Sequence, residues 1–88
     1  QKNLFFTELI RTYQLTDVWN ATELENAFKE IASINQLKTG ELMLPLRMML
    51  VGGKYGPGVF DIAAILEKAE TVNRIEHGLS LLNTESKT

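Results

Sequence analysis

One arginine interrupts the most apolar stretch of this chain. Arg47 is the only charged residue between positions 42 and 51, and a Gly-Pro-Gly turn at positions 56–58 begins nine residues after it. A planar guanidinium can pair with two acceptors at once, such as those on the edge of a nucleic-acid base. The alternative for Arg47 is structural, with its stem packed on the core and its head reaching water or a carboxylate such as Asp61.

Residues around the turn could supply further contacts to a ligand. The Gly56-Pro57-Gly58 turn could expose backbone polar groups at close approach, or it could be a plain connector between helices. Lys54 could hold a phosphate or be solvated, and Tyr55 could stack on a base or cap the core. Arg74 could serve a phosphate or pair with Glu70, four residues earlier on a helix.

The residue types present do not support catalysis or metal binding. His77 is the only histidine and cysteine is absent, which excludes thiolate metal sites and Cys-His catalysis. The segment Gly52–Gly56 lacks the spacing and the terminal Lys-Ser/Thr of a Walker motif. The remaining carboxylates fall on predicted solvent faces: Glu23, Glu25, Glu30 and Glu76. We therefore expect no catalytic residue, cofactor or metal in these 88 residues.

The distribution of charge favours a local binding surface. The net charge is −2 over the whole chain, which argues against a general nucleic-acid coat and against DNA binding. Residues 38–54 nevertheless carry +2, from three basic side chains against Glu41 alone. This positive island contains Arg47. A mildly acidic domain of this kind can contact a few bases when another part of the protein supplies most phosphate contacts.

Composition predicts a small globular unit within a larger protein. The chain is 44% hydrophobic and 23% charged, which is enough for one modest core. No apolar run approaches the roughly 20 residues of a membrane span, and the absence of cysteine suits a reducing compartment. Because the chain begins without Met, we expect a fragment of a longer cytoplasmic protein, and we expect it to be monomeric.

Apolar spacing predicts the elements that position these residues. A helix over 3–15 should bury Phe6, Leu9 and Ile10, and Trp19 should lie in the connection that follows. A capping box from Thr22 to Glu25 predicts the start of a second helix that runs to about Asn35. Residues expected to be mostly buried and close together in the core are Trp19, Phe28, Ile31, Phe60, Ile75 and Leu79.

The second half of the chain should hold three more helices. The third should run from about Leu44 to Val51, with Pro45 in its first turn and Gly52 as its C-terminal glycine. An apolar helix over 59–66, a turn at 68–70 and an amphipathic helix over 72–82 should follow. The predicted fold is all-α, a compact bundle or cage of about five short helices. Residues 1–82 should form the domain and residues 83–88 a flexible tail.

The motif resembles a known family. Pro45-Leu46-Arg47, the helix-ending Gly52, the Gly56-Pro57-Gly58 turn and the apolar and Lys-Glu-rich helices after it are similar to the C-terminal anticodon-binding domain of bacterial-type glutamyl-tRNA synthetases. The resemblance covers roughly residues 17–82. The chain departs from the family in three places, because Glu67 stands where the family has glycine, Val51 replaces a threonine, and Gly56 replaces another.

This resemblance implies a function in tRNA recognition. It implies that Arg47, Gly56, Pro57, Gly58 and Val59 contact anticodon bases of tRNA(Glu). Under this function Lys54, Tyr55 and Arg74 are possible phosphate or stacking contacts to the tRNA, on the grounds of residue type and position given above. The parent enzyme would be a class I glutamate–tRNA ligase whose separate catalytic domain uses ATP and Mg²⁺. The alternative from the residues alone is a helical protein-interaction module that binds a partner helix through the 42–51 surface.

Overall fold

The computed structural model describes residues 2–53 and 58–86, and these two ranges are helical apart from short connections. The helices are α1 (Lys2–Gln14), α2 (Ala21–Ile34), α3 (Thr39–Val51) and α4 (Val59–Ser86). Neither described range contains a strand, which confirms the all-α prediction. The described residues form four helices rather than about five, because α4 joins the last two predicted helices across a break.

The break in α4 lies at a single residue. Glu67 has φ 68° and ψ 172°, whereas the residues on both sides of it are helical. The predicted turn at residues 68–70 is therefore misplaced, since those three residues belong to the second part of α4. A helix needs only one residue outside the helical region to change direction, and Glu67 takes that place.

Helix α2 begins earlier than the predicted capping box. Its N-cap is Asn20, whose side chain Oδ1 accepts a hydrogen bond from the Glu23 amide at 2.8 Å. The prediction that Thr22 caps this helix is wrong, because asparagine is at least as good an N-cap as threonine and occurs two residues earlier. The helix ends at Ile34, and its C-terminal carbonyls bond to the amides of Gln36 and Leu37.

Helix α3 begins at Thr39 and places Pro45 inside it rather than in its first turn. Proline in this position removes the one hydrogen bond to the carbonyl of Glu41. That loss is tolerated because Leu42, Leu46 and Leu50, four residues apart, are each only 1% exposed. The predicted end is confirmed, since Gly52 has φ 72° and its amide donates to the Met48 carbonyl at 2.9 Å.

Aromatic rings link three of the helices in the core. Phe5 packs edge-on against Phe6 and Phe28 at centroid distances of 5.0 Å, and Phe28 packs against Phe60 at 5.3 Å. Ile31, Ile75 and Leu79 are buried as predicted, whereas Trp19 is only partly buried. The core therefore lies where α1, α2 and α4 meet, and α3 closes it through its leucines.

A side-chain hydrogen bond secures the connection between α1 and α2. The buried Tyr13 hydroxyl donates to the Leu24 carbonyl at 2.9 Å, and burial raises the pKa of this phenol.

Two side chains donate to one backbone carbonyl next to the break in α4. The Trp19 indole donates to the Ala63 carbonyl at 3.0 Å, and the buried Thr71 hydroxyl donates to the same oxygen at 3.1 Å. In a regular helix that carbonyl would accept a hydrogen bond from the amide of Glu67. The Trp19 and Thr71 side chains therefore supply donors to a carbonyl at the break.

Helix α4 extends past the predicted domain boundary at residue 82, whereas the flexibility of residues 83–88 stays a prediction. Helix α4 continues to Ser86, so four of the six residues assigned to a flexible tail are helical. The last two, Lys87 and Thr88, lie outside the described residues. No helix within the described ranges is both long enough and apolar enough to cross a membrane.

Candidate functional site

Helix α3 positions Arg47 at the edge of its buried face. Leu46 is buried beside it, and the next residue, Met48, is 47% exposed. Arg47 itself is half-buried. The helix therefore holds this arginine between the core and the surface.

The Arg47 guanidinium has unused donor capacity. Its Nη1 atom is buried and has no hydrogen-bond partner among the described residues. The sequence-based alternative, an ion pair between Arg47 and Asp61, is not formed within that part of the chain. The Asp61 carboxylate instead lies beside Gly58, where its Oδ2 is 3.0 Å from the position that a Cβ atom on residue 58 would take. A buried donor without a partner costs about 1–3 kcal/mol. Since the atom is buried, a ligand acceptor would reach it only after a local shift of the groups that cover it, and it would then remove that cost.

The predicted turn is described only at its end. Lys54, Tyr55, Gly56 and Pro57 lie outside the described residues. Gly58 is exposed and its carbonyl accepts from the Ile62 amide at 3.0 Å, which starts α4. Val59 is 1% exposed and packs in the core. A base contact at Val59 would therefore have to use its backbone, since its side chain is taken up by packing.

Arg74 connects α4 to the C-terminal end of α3. Its Nε donates to Glu70 Oε2 at 2.7 Å, which confirms the ion pair that the sequence left as one alternative. Its Nη1 donates to the carbonyl oxygen of Leu50, a contact that sequence reasoning missed. No local spacing signals this contact, because the two residues are 24 positions apart. A phosphate contact by Arg74 stays a prediction.

An apolar groove lies on the other side of α3. It encloses about 760 Å³ and is lined mainly by α3 and the end of α4, with Leu44, Pro45, Met48, Met49 and Leu81 among its residues. Leu44 and Leu81 are 49% and 54% exposed. The groove is the physical basis for the protein-interaction alternative. The described ranges contain no cluster of His, Cys, Asp or Glu that could hold a metal ion.

Comparison with known proteins gives one consistent result. Residues 3–79 match the family model described as "Anticodon binding domain". A glutamate–tRNA ligase of Flavobacterium johnsoniae is 37% identical over 75 residues, which are 85% of this chain and 15% of the relative. A second, glutamate–tRNA ligase 2 of Thermoanaerobacter pseudethanolicus, is 32% identical over 76 residues, or 86% of this chain and 16% of the relative.

A solved structure shows the same fold. The crystal structure of a glutamate tRNA ligase from Elizabethkingia meningosepticum, in complex with its amino acid, superposes with a TM-score of 0.81 at 29% identity. The match covers 89% of this chain and 15% of that one. The chain thus spans about 15% of the length of the relatives that it matches.

Proposed function

Since this chain belongs to the family of anticodon-binding domains, we propose that it recognises the anticodon loop of tRNA(Glu) as one domain of a glutamate–tRNA ligase. Its relatives carry that name, and the matched segment is about 15% of their length. Attachment of glutamate to tRNA, with ATP and Mg²⁺, belongs to another domain of the parent protein. We propose a monomeric cytoplasmic enzyme.

The observation that carries this proposal is the unpartnered guanidinium nitrogen of Arg47. Loop bases are recognised when they are unstacked and hydrogen-bonded along their edges. A helix holds Arg47 rigidly, and α3 leads through Gly52 directly into the segment with the Gly-Pro-Gly turn. A base that offers acceptors to Arg47 would satisfy a donor that the described residues leave unsatisfied.

The test is Arg47→Ala in the full-length protein. A bidentate base contact is worth about 1–3 kcal/mol of discrimination, so kcat/KM for charging tRNA(Glu) should fall roughly 5- to 150-fold. The loss should largely vanish with a tRNA already altered at the contacted base, which we expect to be the first or middle anticodon base. Arg11→Ala is the matched control, since Arg11 is an exposed arginine on α1.

Lys54→Ala distinguishes a base contact from a phosphate contact. It should weaken all tRNAs alike and lower the salt dependence of binding, as the loss of a phosphate contact does. If Arg47→Ala unfolds the domain while charging by the remaining protein is unchanged, Arg47 is structural and the proposal fails.

The apolar groove supports a second candidate, a surface for a partner helix. Binding of tRNA should weaken steeply as salt rises, whereas an apolar contact should not. A salt-insensitive partner that Met48→Asp displaces, with tRNA charging unaffected by Arg47→Ala, would favour the second candidate.

A further inference from the structure

We propose that Arg74 is a positioning residue, which holds the C-terminal end of α3 so that Arg47 is oriented for base recognition. This inference rests on the proposed function. It assigns Arg74 a role different from the phosphate contact that was one of the two alternatives in the sequence analysis. The contacts of Arg74 within the fold carry the argument.

The first contact closes the end of α3. The last four carbonyls of a helix lack amide partners within it, and Leu50 is the penultimate residue of α3. Arg74 Nη1 donates to this carbonyl. A cation at a helix C-terminus is also favoured by the helix dipole. Arg74 therefore supplies from α4 a donor that the end of α3 requires.

The second contact fixes the direction of the guanidinium. Arg74 Nε donates to Glu70 Oε2 at 2.7 Å, one turn earlier on α4. The planar group is thus held at two places, by a carboxylate through Nε and by the Leu50 carbonyl through Nη1. A lysine has the charge but a single donor nitrogen, and it cannot reproduce this two-sided contact.

The two contacts of Arg74, with Glu70 and with the Leu50 carbonyl, form a two-sided clamp, and the part of α4 that carries it is anchored in the core. Ile75, the neighbour of Arg74, is fully buried, and so is Thr71, whose hydroxyl donates to the Ala63 carbonyl at 3.1 Å. Arg47 lies three residues before Leu50 on α3, and Gly52 lies two residues after it. Arg74 therefore connects the core to the one turn of α3 that joins Arg47 to the predicted base-contacting turn. A displacement of about 1 Å at such a site can cost on the order of 100-fold in rate.

Two variants separate positioning from phosphate contact. Arg74→Lys keeps the positive charge, so a phosphate contact would be largely retained, whereas the two-sided clamp would be lost. Glu70→Ala removes a negative charge next to Arg74. A phosphate contact would then be unchanged or stronger, whereas a positioning role predicts weaker recognition because Nε loses its partner. Glu76→Ala, at an exposed acidic position on the same helix, is the matched control.

The experiment measures dissociation constants of the full-length protein for a tRNA(Glu) transcript and for a transcript substituted at the base that depends on Arg47. For both Arg74→Lys and Glu70→Ala we expect the preference for the first transcript to fall roughly 5-fold or more, within the 5- to 150-fold of a base contact. The slope of binding against salt should stay unchanged. Combined with Arg47→Ala, neither variant should lower the preference further.

Four results would overturn the inference. Retained preference in Arg74→Lys would mean that charge alone suffices. Tighter binding in Glu70→Ala, or an Arg74→Met variant with uniform weakening and a salt slope lower by about 1, would assign Arg74 to a phosphate. A lower melting temperature with unchanged preference would make the clamp merely structural. If the wild-type protein shows no preference between the transcripts, the proposed function itself fails, which is a separate outcome.

Discussion

Replacing Glu67 with glycine should stabilise this domain. Glu67 has φ 68° and ψ 172°, a backbone region occupied almost only by glycine. The side chain is exposed and makes no ion pair among the described residues. The stability lost at this position therefore comes from the Cβ atom and not from a contact that the substitution would remove.

The expected gain follows from two opposing terms. A side chain held in this region costs about 1–3 kcal/mol. Glycine also destabilises the folded state by about 0.4–1 kcal/mol relative to the unfolded chain, because it increases the conformational freedom of the unfolded chain. The net stabilisation should be about 1–2 kcal/mol, which raises the melting temperature by roughly 4–8 °C per kcal/mol in a domain of this size.

Urea unfolding of Glu67→Gly and Glu67→Ala measures this gain. Alanine removes the carboxylate but keeps the Cβ atom, so it should change the free energy of unfolding by less than about 0.5 kcal/mol. The m-value should be equal in all three proteins if only stability changes. Equal stabilisation by alanine and glycine would assign the effect to the charge, and destabilisation by glycine would show that Glu67 does not adopt this conformation.

Two further substitutions test the packing of α4 and the start of α2. At Gly78 an added Cβ would stand 2.4 Å from Met49 Cγ, so Gly78→Ala should cost about 1 kcal/mol through overpacking. In a Met49→Ala background the nearest remaining atom is the Cβ of residue 49 at 3.1 Å, so the cost should fall as part of the overpacking is relieved and the roughly 1 kcal/mol of helix propensity offsets part of the rest. Both are read from denaturant melts, and equal effects in the two backgrounds would contradict the contact. Asn20→Ala should cost about 1 kcal/mol whereas Thr22→Ala should cost much less, and the reverse order would restore the predicted capping box.

Local patterns predicted most helices of this fold but not all their ends. The spacing of Leu24, Phe28 and Ile31 was sufficient to predict α2, because the buried residues of an amphipathic helix recur every three or four positions whatever they pack against. Its start was wrong by two residues since two adequate caps compete there. Proline predicts the first turn of a helix, but the burial of the α3 leucines outweighs the one hydrogen bond that Pro45 removes inside α3.

For the candidate site, the amino-acid sequence alone determined the family resemblance and the choice of Arg47, because both depend on residue types at fixed spacing. Only the tertiary structure showed that Arg47 Nη1 is buried without a partner among the described residues, and that Val59 belongs to the core. It also showed the ion pair of Arg74 with Glu70 and brought the Leu50 carbonyl within reach of the same guanidinium. Such contacts join residues far apart in the chain, and their geometry depends on how whole helices pack, which no local spacing encodes.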